Sequence, residues 1–234
     1  MGRLQNLNTS WMLTPAHFII SMGLFNLFKS DKPSYSDKVW MTKDAALKGM
    51  ITETLQILKK SEVPVVLSFF SDRQQEVIDF TSVKGVPYSV IDSNSAVQRD
   101  NLVLLMDAQW LRTSQHAMDF LVQQFNVSAV HLLFYGHYPI PEKENELLNK
   151  VAVALNPKNE LKFFSSLDDR AFEMFGAGNI KSIMEKMGLK QDEAVEHAMV
   201  TKAMARAREK IAEGVAQEIA APTEAVWYQK NYSK

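Results

Sequence analysis

Short apolar runs separated by segments of helical periodicity constrain this chain more than any other feature. Val65 to Phe70, Leu102 to Met106 and Ala129 to Phe134 are nearly continuous apolar blocks. A strand exposed on one face alternates apolar and polar residues; blocks without that alternation read as strands covered on both faces. Pro87 to Ile91 and Leu161 to Ser165 add two further strands. Between them the period changes. Leu47, Met50, Ile51, Thr54, Leu55 and Leu58 fall on one helical face from about Lys43 to Lys60. Ser71 to Gln74 reads as a capping box opening a helix that Gly85 closes. Thr113 to Phe125 is helical, and Pro141 begins a helix through Ala154. Helices dominate afterwards, over Asp168 to Phe175, Asn179 to Met187 and Glu193 to about Ile219. Strands joined by helical crossovers imply an α/β fold with a mostly parallel sheet and helices on both faces.

Charge and composition narrow the function classes. Lys plus Arg (26) against Asp plus Glu (27) leaves a net charge of −1, without the basic excess that a nucleic-acid or anionic-membrane partner calls for. The absence of cysteine excludes disulfides, Cys-ligated zinc, iron–sulfur clusters and thiolate catalysis. Trp11 to Phe28 is the most apolar stretch, but Thr14, Pro15, His17, Ser21 and Asn26 interrupt it. A spanning helix needs about 20 mostly apolar residues. Met22 to Lys29 reads as an alternative start, with residues 1–21 an upstream extension, and Lys29 to Ser36 as a polar linker. The organisation expected is therefore an extension and linker over 1–36, an α/β domain over 37–190 and a helical extension with a tail over 191–234.

No phosphate-binding glycine loop, dinucleotide fingerprint, zinc-protease helix or nucleophile elbow occurs in the chain. His131 falls inside a strand and reads as a structural, hydrogen-bonded histidine. Asp107, His137 and Tyr138 follow the carboxyl ends of strands, where open parallel sheets bind ligands. They are the residues a stand-alone enzyme would use. Met174, Met184 and Met187 read as core filler.

The second half carries a family resemblance. Phe163 to Gly176 (FFSSLDDRAFEMFG) is similar to the F-x-L-S-L-E-D-D-L-M-R-x-F-G stretch of the SecA preprotein translocase ATPase family, and Ile180 to Leu189 continues it. Glu193 to Lys210 resembles the family's E-x-x-I-E-H-x-x-V-T segment, with Glu196, His197, Val200, Thr201 and Lys202 as its most diagnostic letters. Upstream, Asp37 to Lys43, Glu62 to Leu67 and Gly85 to Val90 follow the register of that family's second nucleotide-binding lobe. The resemblance, over about Ser36 to Gly214, implies a RecA-like fold, the helicase C-terminal lobe, followed by the first turns of a helical scaffold. Nothing in these residues resembles the family's first lobe, its crosslinking domain or its zinc tail.

The departures matter for function. The family's G-R-G-T-D sensing loop maps onto Trp110 to Ser114, where Thr113 alone survives. Its Q-x-x-G-R-x-G-R helix maps onto Glu146 to Val153, with Lys150 at the first arginine and Val153 at the second. Lysine lacks the planar fork of arginine, and valine has no charge. The resemblance therefore implies a catalytically inactive, protein-binding lobe with no metal and no cofactor of its own. Its expected partner is a SecA-type motor or another export component. Nucleic acid is not expected, membrane contact is expected only indirectly, and the place of action is cytoplasmic or membrane-peripheral. If the lobe were instead half of a split ATPase closing on a P-loop lobe of another chain, it would meet ATP and magnesium there. Asp107, Thr113, His137 and Lys150 are the candidate cofactor-binding residues.

Overall fold

The computed structural model describes residues 35–92, 102–125, 130–155, 160–175, 177–186 and 188–232. The apolar stretch from 11 to 28, nearly all of the linker and Met187 lie outside the described residues. Six strands, β1 (Ser36–Trp40), β2 (Val63–Ser68), β3 (Tyr88–Ile91), β4 (Val103–Asp107), β5 (Val130–Tyr135) and β6 (Glu160–Ser166), form one sheet in the order β1-β6-β5-β2-β4-β3. Every pairing is parallel. The helices are α1 (Lys43–Lys59), α2 (Ser71–Val83), α3 (Ala108–Thr113), α4 (Gln115–Phe125), α5 (Pro141–Ala154), α6 (Arg170–Phe175), α7 (Ala177–Lys186), α8 (Ala198–Glu213) and α9 (Glu224–Asn231). This is the α/β architecture expected from the sequence, a parallel sheet with helices on both faces.

The apolar runs explain the layers. Successive strand residues point to opposite faces, so Leu67, Met106, Leu132 and Phe134 enter one core with α3, α4, α5, α8 and α9. Val66, Leu105, Leu133 and Tyr135 enter the other core, with α1 and α2. β2, β4 and β5 are inner strands, as their unbroken apolar character requires. Burying each such side chain contributes about 1.5–3 kcal/mol. A third cluster, around Val39, Met41, Phe172, Met184 and Met204, joins β1 to α6, α7 and α8.

Several expectations are corrected. Asp37 to Trp40 belongs to an edge strand, β1, which the sequence reading left without a structure. The second strand ends at Ser68, and Phe69 and Phe70 turn out of the sheet. Ser71 to Gln74 is not a capping box. Phe70 is the N-cap without a side-chain bond, and the Ser71 hydroxyl donates to the carbonyl of Pro222 at 2.9 Å. The helix expected over 113–125 is α4, which starts at Gln115, and the short helix α3 before Ser114 was not expected. The helix expected over 193–219 shrinks to Ala198–Glu213, because Val195 pairs antiparallel with Val39 and Gly214 caps the far end. Met184 is core, but Met174 is 37% exposed. His131 is held between Glu62 (2.9 Å) and Glu160 (3.3 Å), as befits a structural histidine.

One glycine is fixed by close approach. A β-carbon at Gly49, on α1, would fall inside the indole of Trp40, 2.8 Å from Cε2 and 2.9 Å from Cη2. Glycine to alanine inside a helix ordinarily gains up to about 1 kcal/mol. Here overpacking, worth about 1–3 kcal/mol, opposes it. Gly49→Ala is therefore expected to lower the urea midpoint. A raised midpoint would show that Trp40 yields freely.

Candidate functional site

The order of the strands places a crevice. From β2 the chain passes through α2 to β3, beyond β4; from β4 it passes through α3 and α4 to β5, beyond β2. The two connections leave neighbouring strands in opposite directions and cover opposite faces of the sheet. The carboxyl ends of β2 and β4 are thus a topological switch point, where such sheets take ligands. A cleft of about 530 Å³ opens there. Phe69 and Ser71, after β2, meet Asp107, Gln109, Arg112 and Thr113 of the β4 side, while Tyr138 and Lys143 close the β5 side. Glu218 and residues 220–222 form the remaining wall.

Asp107 is at this cleft, as the sequence suggested, but its carboxylate is the N-cap of α3. It accepts from the Gln109 N–H at 2.6 Å and the Trp110 N–H at 3.2 Å. Burial raises its pKa against those two donors. Thr113 lines the same cleft and donates its hydroxyl to the Gln109 carbonyl at 2.8 Å. Asp107 Oδ1 and the Thr113 hydroxyl are thus both engaged with the backbone.

Lys150 lies in a neighbouring hollow between α3 and α5. The two segments that the sequence resemblance set against a sensing loop and an arginine helix meet in space. Lys150 Nζ donates to the Arg112 carbonyl at 2.7 Å and lies 3.1 Å from Glu146. The Arg112 guanidinium donates to Glu146 at 3.0 Å and to Gln109 at 3.0 Å. Glu146 is held below the usual carboxylate range, chiefly by its hydrogen bond from Lys150 and then by Arg112. Val153, at the second arginine position, is 89% exposed.

His137 departs from the cleft altogether. Gly136, at φ 78°, turns the chain after β5, a conformation only glycine adopts without strain. The turn drives the imidazole inward, where it stacks on Phe163 with ring centroids 4.3 Å apart. Its Nε2 lies 3.1 Å from Asp37 and its Nδ1 3.0 Å from Glu144. Glu144 also accepts from the Tyr138 N–H (2.9 Å) and pairs with Arg208 (2.9 Å). Arg208 Nε in turn donates to the Tyr138 carbonyl at 2.9 Å. Burial pulls the His137 pKa down, but Glu144 and Asp37 outweigh it and lift it to about 9. Glu144, although fully buried, is held low by Arg208 and His137. Two cations and two anions thus form a closed, neutral cluster that ties β1, α5 and α8 to the turn after β5. It is structural and has no local signature, since its members come from four separate segments.

The sequence also missed Lys143 and Glu218. Glu218 accepts from Tyr138 Oη, Lys143 Nζ and Trp227 Nε1 (2.7 Å for the indole). Burial pushes the Glu218 carboxyl up, yet these donors, Lys143 first, keep it below its ordinary value. A parallel cluster holds α9: Arg73 bonds Asp169 at 2.7 Å and Glu224 at 2.9 Å and stacks on the Tyr135 ring. Among the described residues, no group of three or more acidic or histidine side chains is arranged to hold a metal ion.

No family model matches the sequence. The chain is similar to the protein translocase subunit SecA of Desulfotalea psychrophila, at 20% identity over 187 residues. Likewise it matches SecA of Halothermothrix orenii (22% over 192 residues) and of Desulfovibrio desulfuricans (24% over 188 residues). Among solved structures, the C-terminal part of the Fun30 ATPase domain aligns over 72% of this chain and 54% of that one, at 10% identity and a TM-score of 0.38. The chain spans about 22% of the length of the curated relatives it matches. Over 77–79% of its own length, then, this chain resembles one region of the SecA protein translocase.

Proposed function

We propose that this chain is a SecA-related lobe that works by binding protein and does not itself turn over nucleotide. The observation that carries the reading is the mutual closure of Arg112, Glu146 and Lys150. In the matching helix of the family the position of Lys150 carries an arginine directed at a phosphate. Here each cation already holds a partner within its own lobe, and Asp107 and Thr113 are bonded to backbone. Loss of one phosphate-directed arginine typically costs about 10³–10⁵ in rate, or roughly 4–7 kcal/mol of barrier. The partner proposed is a SecA-type motor or another component of the export pathway, met in the cytoplasm or at the membrane surface. Among the described residues, no helix is long and apolar enough to cross a membrane.

Purified chain under saturating Mg-ATP is expected to release phosphate no faster than a heat-killed control. Added to a purified SecA-type motor, it is expected to co-elute with it. Steady phosphate release by the chain alone would sink the inactive assignment. Release that appears only when a P-loop lobe from another chain is supplied would instead make this the second half of a split ATPase. Failure to bind any export component would leave the fold similarity without this functional meaning.

A further inference from the structure

Residues 214–223 leave α8 and cross the carboxyl edge of the sheet before α9 begins. The second half of this strap is fixed at two points. Asn231 grips Ile219 through both its amide and its carbonyl, at 2.6 and 2.8 Å. Ser71 donates its N–H and its hydroxyl to the Pro222 carbonyl, each at 2.9 Å. Just ahead of the first of these anchors Glu218 turns inward, to the rim of the switch-point cleft.

Three donors from three elements converge on that one carboxylate: Lys143 from the first turn of α5, Tyr138 from the turn after β5 and Trp227 from α9. A strap needs no such clamp for its own stability, because Ile219 and Pro222 already hold it. The clamp has the chemistry of an anion site, an ammonium with two neutral donors. It stands at the sheet edge where parallel folds place ligands, and the adjoining cleft of about 530 Å³ leaves room for the rest of a molecule.

We propose that Glu218 is a tethered stand-in for an anionic ligand, and that a small molecule bearing a phosphate or carboxylate group displaces it from Lys143, Tyr138 and Trp227. The displacement exchanges one anion for another, so the lobe loses no ion pair. Only the strap ahead of the Ile219 anchor has to shift, while Trp227 stays buried in the core. A tethered group competes at an effective concentration on the order of millimolar, which sets a threshold below which the site stays closed. The lowered pKa of Glu218 keeps the stand-in ionised at neutral pH.

The test uses the full chain and Glu218→Gln, a neutral replacement of the same shape. Each is titrated at constant ionic strength with pyrophosphate and, separately, with glutarate, followed by calorimetry and by tryptophan emission. Glu218→Gln is expected to bind at least one of the two at a Kd tenfold or more below that of the wild type. Adding Lys143→Met should abolish the gain. A gain for pyrophosphate alone assigns the site to phosphates, and a gain for glutarate alone assigns it to carboxylates. No gain for either anion, or a gain that survives Lys143→Met, overturns the proposal. Should Glu218→Gln fail to fold, the wild type decides: saturating anion is expected to speed proteolytic cleavage within residues 214–223, and unchanged cleavage overturns it.

Discussion

Cutting the chain after Gly214 is expected to remove most of its stability and leave an aggregating remnant. The lost segment carries Trp227, which is fully buried, and Tyr228, both packed in the larger core with Ala207 and Ile211 of α8. Losing a buried tryptophan side chain alone costs about 3–5 kcal/mol, against a total of about 5–15 kcal/mol for a domain. The cut also strips Glu224 from Arg73, leaving a buried guanidinium with Asp169 as its close carboxylate partner. The milder Trp227→Ala should lower the stability by about 3–5 kcal/mol without changing the denaturant slope. A truncated protein with the urea midpoint of the intact chain would mean that α9 rests on the lobe without supporting it. Ala203, Ala207, Ile211 and Val215 recur every fourth residue along α8 and just beyond it, a stripe that calls for a neighbour. Ala207 and Ile211 share their core with Trp227 and Tyr228 of the chain's own tail, so the helix is packed rather than detached.

The second large effect is a dependence on pH centred on His137. Its pKa is raised in the folded state, to about 9 from an unfolded value of 6.5. A raised histidine contributes stability that is fully present below pH 6.5 and is lost as the pH climbs through about 9. The shift corresponds to about 3 kcal/mol. The wild type should therefore weaken steadily between pH 6.5 and 9, while His137→Gln, less stable at pH 6, should be nearly flat across that interval. Glu144 acts in the opposite sense. Its pKa is lowered from 4.5, so its contribution is present above that value and fades as acid protonates it. A wild-type stability profile that stays level from pH 6.5 to 9 would show that the imidazole is buried neutral. Arg208→Met offers a further check, because breaking a buried pair from one side costs about 3–5 kcal/mol.

What the sequence disclosed, and what it hid, follows from range. The inner strands were legible because burial on both faces forces a continuous apolar run, a purely local signal. α5 was legible from Pro141, its first residue, to Ala154, its last. β1 was not, because its Ser-Asp-Lys-Val-Trp pattern reflects a polar edge whose Asp37 bonds His137, 100 positions away. Ser71 misled for a similar reason: its hydroxyl is committed to Pro222, 151 positions away, rather than to its own helix. Of the candidate site, topology alone correctly brought Asp107 and Tyr138 to one cleft. Topology could not show that Asp107 is already bonded as a cap. Nor could it show that His137, one residue before Tyr138, points into the core. The direction of a side chain after a glycine turn depends on packing that no short motif encodes.

The pairing of β1 with β6 has a consequence for synthesis. Ser36 lies beside Lys162, 126 positions later in the chain. At about 5–20 residues per second, a ribosome takes roughly 6–25 s to cover that distance. Throughout that time Val39, Trp40 and Met41 have no strand to lie against, although β2, β4 and β5 can already assemble beside one another. The nascent chain therefore passes through a stage in which a partial sheet coexists with an unpaired apolar edge, a species suited to capture by a holdase chaperone.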